Sequence, residues 1–241
     1  MKKAHFKVRL ALAALAMPLL AMPAVAHAQD EEEDSGPISI DAEIGAFSDY
    51  RFRGISLSGK DPQLTAELSV SHESGFYVGA WASNVDADLD GSGDNVEVDW
   101  TVGFSRDIGT INVDVGAAYY TYIERSGLNY IELYGNLGVP VGPATVTLGV
   151  AYAPKQDNLG GADNTYVSIS GDLPIGDSPV SVHGSFGIED GVFGDSKKDW
   201  SLGASYDLGS GFTATLDYVD SHRSFSTLGD ATAVFSITKA F

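Results

Sequence analysis

The chain has 241 residues, with 14 basic and 33 acidic side chains, a formal charge of −19 and no cysteine. That charge excludes nucleic acid and anionic lipid as partners drawn by long-range electrostatics, and the lack of cysteine excludes disulfides and thiolate chemistry. No stretch reaches the roughly 20 apolar residues that a membrane-spanning helix needs, so any membrane span must be a strand.

Lys2, Lys3, Lys7 and Arg9 precede an apolar run from Leu10 to Leu20, and Ala26-His27-Ala28 follows. A basic start, a short apolar run and an A-x-A site together predict a secretory signal peptide over residues 1–28, cut after Ala28. The cut leaves 213 residues with ten basic against 33 acidic side chains, a formal charge of −23. Residues 29–37 carry the run Asp30–Asp34 and read as a solvated acidic tail. Residues 38–241 form one domain.

From Ile38 the apolar residues recur with the two-residue period of strands, and twelve segments follow in order. Ile38–Arg53 sets Ile38, Ile40, Ala42, Ile44 and Ala46 against Asp41, Glu43, Phe47 and Asp49, with Arg51 and Arg53 in the same inward phase and Tyr50 and Phe52 outward. Gln63–Glu73 and Phe76–Asn84 flank a turn at Glu73-Ser74-Gly75. Asn95–Ser105 is the cleanest segment, with Val96, Val98, Trp100, Val102 and Phe104 opposite Glu97, Asp99 and Thr101. Thr110–Tyr122, Asn129–Val139, Ala144–Ala153, Thr165–Leu173, Val180–Glu189, Asp199–Leu208 and Phe212–Asp220 continue the pattern, and Thr232–Phe241 completes it.

Short connections (Glu73–Gly75, Arg106–Gly109, Pro140–Pro143, Pro174–Pro179 and Gly209–Gly211) alternate with longer polar ones such as Val85–Asp94, Pro154–Asn164, Asp190–Lys198 and Ser221–Ala231. That alternation predicts an all-β fold, a transmembrane antiparallel up-and-down β-barrel of about twelve strands with both termini periplasmic. Phe235, Ile237 and the terminal Phe241 share one face of the last segment and resemble the signal that delivers outer-membrane barrels to their assembly machinery. Lys239 interrupts that face, where its stem can snorkel to the interface. Phe76, Phe104, Tyr119, Tyr122, Tyr152, Trp200, Phe212 and Tyr218 gather near strand ends as interfacial girdles.

Ser48-Asp49-Tyr50-Arg51-Phe52-Arg53-Gly54-Ile55-Ser56, His72-Glu73-Ser74-Gly75-Phe76-Tyr77-Val78-Gly79, Ser83-Asn84-Val85-Asp86, Val96-Glu97-Val98-Asp99 and the closing Ser236–Phe241 resemble the TorF family of proteobacterial porins. The resemblance covers nearly the whole chain after residue 28 and implies an outer-membrane barrel. It implies no particular substrate.

The inward phase carries Asp41, Glu43, Asp49, Glu67, Glu97, Asp99, Asp114, Glu132, Asp172 and Asp217, with Arg51 and Arg53 as its few bases. Carboxylates on a lumen wall favour cations, so the expected activity is a narrow, weakly cation-selective diffusion channel for small hydrophilic solutes, with no cofactor. Arg51 and Arg53 serve either a transverse field or the neutralisation of Asp49, Glu67 and Asp99. Asp86, Asp88, Asp90 and Glu97 match a calcium-loop spacing, but strands flank the loop where helices should, and Gly93 occupies a position usually apolar. His183, in phase with Ser181 and Ser185, is the one arrangement that suggests a lipid-acting enzyme; His72 and His222 offer none. An adhesive or structural barrel is the remaining alternative.

Overall fold

The computed structural model describes residues 36–86, 94–224 and 227–241. Twelve strands close into a barrel: β1 (Ile38–Phe47), β4 (Gln63–His72), β5 (Phe76–Asp86), β6 (Asp94–Ile108), β7 (Ile111–Tyr122), β8 (Tyr130–Val141), β9 (Ala144–Ala153), β10 (Asn164–Pro174), β11 (Val180–Gly191), β12 (Gly194–Gly209), β13 (Phe212–His222) and β14 (Thr232–Ala240). Two further strands, β2 (Arg51–Phe52) and β3 (Ile55–Ser56), pair only with each other. Each barrel strand runs antiparallel to its chain neighbours, and β14 pairs with β1 from Glu43↔Ala240 to Phe47↔Ser236. The Phe241 N–H donates to the Ala42 carbonyl at 3.0 Å. Closure leaves no bare edge. No α-helix occurs among the described residues, and none is long and apolar enough to cross a membrane.

The two-residue period sorts side chains as expected, with polarity inverted relative to a water-soluble protein. Along β6, Asn95, Glu97, Asp99, Thr101 and Ser105 are buried, while Val96, Trp100 and Val102 point out and are exposed. Ile40, Leu64, Phe76, Val167, Leu202, Leu216 and Phe235 extend the exposed apolar surface around the barrel. A continuous band of this kind needs an apolar solvent to cover it.

Connections 73–75, 109–110, 142–143, 175–179 and 210–211 share one end of the barrel with the termini, here the turn end. The longer connections 48–62, 123–129, 154–163 and 223–231 lie at the other, the loop end.

Four sequence expectations change. The first strand stops at Phe47, the last residue paired with both β4 and β14, rather than at Arg53. Arg51 and Arg53 therefore leave the wall, and Tyr50 and Phe52 turn into the barrel instead of facing outward. Asp190–Lys198 is not a long loop: β11 and β12 run on to Gly191 and Gly194 through a register shift, joined by two residues. Tyr122 is no girdle residue, because it points inward and donates to Glu97 Oε1 at 2.8 Å.

Phe76, Tyr119, Tyr152, Phe212 and Tyr218 do face outward. At the turn end, Phe76 and Phe104 pack edge to face, with centroids 5.1 Å apart. Lys239 spans from the Phe212 and Phe241 rings, each 5.0 Å from its ammonium, to the Ser210 carbonyl in the turn. That is the snorkelling expected of a lysine on an apolar face.

Candidate functional site

Residues 48–62 fold inward from the loop end and cross the barrel. The segment starts tied to the wall: the Ser48 N–H donates to the Phe235 carbonyl, and the Phe235 N–H donates to Ser48 Oγ. Asp49 then gathers three donors, Arg51 Nε at 2.6 Å, Ser56 Oγ at 2.6 Å and Ser58 Oγ at 3.2 Å. This knot holds the β2–β3 hairpin together, with Arg53 and Gly54 at its tip. Both tip residues have positive φ, 47° and 82°, the pattern of the tight turn whose twist matches a two-stranded hairpin. Gly54 presses on the wall at β12 and β13, where a Cβ would lie 2.8 Å from Asp199 Cβ and 2.9 Å from Ser221 Cβ. Only glycine satisfies both the backbone angle and the close approach.

From this tip Arg53 reaches two strands at once. Nη2 donates to Glu132 Oε1 on β8 at 2.6 Å, and Nη1 donates to Glu189 Oε1 on β11 at 2.9 Å. Its guanidinium lies 4.4 Å from the centre of the Tyr166 ring and 4.7 Å from that of Phe52. Lys197 of β12 donates to the Arg53 carbonyl at 2.5 Å and to Glu189 Oε2 at 2.8 Å. Arg51 fastens the hairpin base to another loop, donating to the carbonyls of Leu228 and Asp230. Breaking one partner from a buried charged pair of this kind costs about 3–5 kcal/mol, because the other is left uncompensated.

Aromatic rings fill the space around these charges. Tyr50 packs on Trp81 with centroids 5.4 Å apart, Phe52 meets Tyr120 edge to face, and Tyr120 stacks on Tyr130 at 4.5 Å. Tyr50, Trp81, Tyr120, Tyr130 and Tyr166 are all buried. At this level buried aromatic and charged side chains project into the barrel and form its throat.

The acids predicted on the inner face fall into two levels. Glu97, Asp99 and Glu132 surround the throat with Glu189 and Asp199, so five buried carboxylates meet two buried cations, Arg53 and Lys197. Glu132 also accepts from Tyr120 at 3.3 Å. Asp99 is within electrostatic reach of Glu97 and Glu132, and neither of its oxygens has a hydrogen-bond partner among the described residues. Arg53 thus meets Glu132 and Glu189 rather than the Glu67 and Asp99 the sequence suggested.

Toward the turn end, Glu43 and Glu67 sit directly opposite each other across β1 and β4, half-buried. Like charges so placed repel. Asp41 is exposed near the mouth. Asp114 accepts from Tyr77 at 2.7 Å and from Asn136 at 3.0 Å. Asp172 lies opposite His183, whose Nε2 is 2.7 Å from Asp217 Oδ1. Gly203 lies between His183 and Asp217, and a Cβ there would collide with both side chains.

No serine is joined to His183 among the described residues: Asp217 holds its Nε2, its Nδ1 has no hydrogen-bond partner, and Ser185 Oγ is 2.8 Å from Ser201 Oγ instead. His72 bonds Ser74 in a turn. Of the calcium-loop match, Asp88 and Asp90 lie outside the described residues, as does the signal peptide; Asp86 is buried and Glu97 is bonded to Tyr122. No group of three or more His, Asp or Glu with metal-holding geometry occurs among the described residues. Phe235, Ile237 and Phe241 point outward and are exposed.

Sequence reasoning missed Glu189, Lys197, Asp199 and Tyr166. Period-two phase contained the signal for all four, Tyr166 sharing the face of Ser168 and Asp172. Glu189 shares the face of His183 and Ser185, and Lys197 shares that of Asp199 and Ser201.

The family model described as "Bacterial protein of unknown function (Gcw_chp)" matches residues 31–241. The chain belongs to the Gcw_chp family. Among solved structures it is similar to the KdgM porin, with a TM-score of 0.57 at 8% identity, covering 84% of this chain and 97% of that one. It is also similar to the COG4313 outer membrane channel from Pseudomonas putida F1, with a TM-score of 0.54 at 9% identity, covering 87% and 100%. At these identities the likeness establishes the barrel fold that this Gcw_chp member shares with them. A curated relative, TonB-dependent receptor P3 of Formosa agariphila, is 28% identical over 125 residues, which is 48% of this chain and 12% of the receptor.

Proposed function

We propose that this Gcw_chp protein is an outer-membrane porin, a passive diffusion channel for small hydrophilic solutes with a throat narrowed by residues 48–62. The observation that carries the reading is a closed barrel with an apolar outside and a charged inside. Only a wall between lipid and water needs that inversion. In this reading residues 1–28 are a cleaved signal peptide, 29–37 an acidic tail, and both termini are periplasmic. Phe241 serves the assembly machinery, the family is the TorF-like porins, and the protein is not an enzyme.

Twelve strands lie between the eight that side chains can fill and the sixteen or more of open porins, so one inward hairpin suffices to narrow the bore. The excess of interior carboxylates favours weak cation selectivity. A KdgM porin structure has been determined in complex with disordered oligogalacturonate. For this chain the acidic interior argues for neutral or cationic solutes instead, since a polyanion would meet Glu43, Glu67, Glu97 and Asp99 without a facing row of bases.

The test is single-channel recording of the refolded protein in a planar bilayer under a salt gradient. Discrete steps with a cation-biased reversal potential are expected. An anion bias would contradict the acidic interior, and silence from a folded barrel would overturn the channel.

A further inference from the structure

Arg53 sits where a permeating cation would sit, yet it belongs to no barrel strand. Its guanidinium is received by carboxylates on two separate strands, Glu132 at 2.6 Å and Glu189 at 2.9 Å, and by the ring of Tyr166 at 4.4 Å. Two divergent acceptors beside an aromatic face suit a planar fork of N–H donors far better than a point charge. The backbone presenting it has φ of 47°, the positive value that the tight turn at the hairpin tip requires.

The receiving surface is also larger than Arg53 can satisfy. Asp99 is buried with neither oxygen hydrogen-bonded to any described residue, and Glu97 lies beside it. No other base of the chain is placed to neutralise them. All ten Lys and Arg after residue 28 are described, and only Arg51, Arg53 and Lys197 are buried. Arg51 is held by Asp49, and Lys197 by Glu189.

We propose that this acidic and aromatic box is a recognition site for guanidinium-bearing solutes, in which Arg53 is the tethered occupant. A free guanidinium competes for the same carboxylates and ring, releases the hairpin and so opens the throat through which it passes. The inference rests on the channel reading and adds the solute class and the trigger. A tether on a short hairpin sets an effective concentration of order millimolar, so the competing solute acts at ~1–10 mM rather than at micromolar levels.

The experiment compares methylguanidinium with tetramethylammonium, each at ~10 mM, on wild type, Arg53→Ala and Arg53→Lys in planar bilayers, with barrel folding checked by heat-modifiable gel mobility. In wild type, methylguanidinium raises open probability by about fivefold or more and tetramethylammonium does not, as a ligand selective for one of two states requires. In Arg53→Ala the throat is open without ligand, and methylguanidinium, entering the vacated box, reduces the current. Equal effects of the two cations on wild type and on both variants overturn the proposal while leaving the channel intact. If every protein is silent, the channel reading fails instead. Calorimetric titration of methylguanidinium into folded Arg53→Ala in detergent then decides the site by itself: saturable heat supports it and its absence overturns it. Where Arg53→Ala does not fold, Arg53→Lys decides, since a point charge in place of the fork lowers the methylguanidinium concentration needed for opening.

Discussion

Gly54→Ala separates the throat from the wall that surrounds it. The added Cβ would lie 2.8 Å from Asp199 Cβ and 2.9 Å from Ser221 Cβ, on a residue whose φ is +82°. A left-handed backbone costs an L residue about 1–2 kcal/mol, and forcing a methyl group into a filled site adds about 1–3 kcal/mol. Together about 2–5 kcal/mol act against the docked hairpin, which raises its undocked population about 30-fold or more at 1.4 kcal/mol per decade. The penalty does not fall on the barrel, because residue 54 takes part in none of its pairings. Osmotic swelling of proteoliposomes in a small neutral sugar measures the throat, and heat-modifiable gel mobility measures the barrel. Swelling should accelerate severalfold while the barrel's unfolding midpoint stays within a few degrees. An unchanged swelling rate, or a barrel that melts early, would refute the docking of this hairpin as the barrier.

Other perturbations address the remaining contacts. Lys197→Met removes the second cation from Glu189 and the donor to the Arg53 carbonyl; it should destabilise the barrel by about 3 kcal/mol in urea titrations in lipid vesicles and shift the reversal potential further toward cations. Gly203→Ala drives a methyl group against His183 and Asp217 and should cost about 1–3 kcal/mol in the same titration without altering selectivity. Removing Phe241 deletes the last outward aromatic residue of the closing strand, and the expected result is a lower yield of folded protein in the outer-membrane fraction with normal conductance per molecule.

The barrel wall was legible because a wall between two solvents imposes the strictest version of the two-residue period. Val96, Trp100 and Val102 against Glu97, Asp99 and Thr101 is a pattern few other folds would write. The throat was not legible, and the cause is local. Asp49, Arg51 and Arg53 continue the alternation of β1 past its last paired residue, Phe47, so phase alone extends the strand through them. What ends it is the Asp49 knot and the positive φ at Arg53, and an Arg-Gly pair announces a tight turn far less plainly than Asn-Gly does. The start of β12 was obscured in the opposite sense. Gly194 to Lys198 reads as a polar loop, yet Lys197 faces inward to meet Glu189, and that pairing across strands has no signature in either segment alone. Charges that find partners at separations such as Arg53 and Glu132 are properties of closure, which appear only once the cylinder is built.

The most direct test of the account replaces residues 51–56 with a Gly-Ser linker of equal length and records both proteins in planar bilayers under one salt gradient. Small, infrequent steps are expected for wild type and large, long-lived steps for the linker variant, both with cation-biased reversal potentials. Equal conductance in the two folded barrels, or silence from the linker variant, would contradict it.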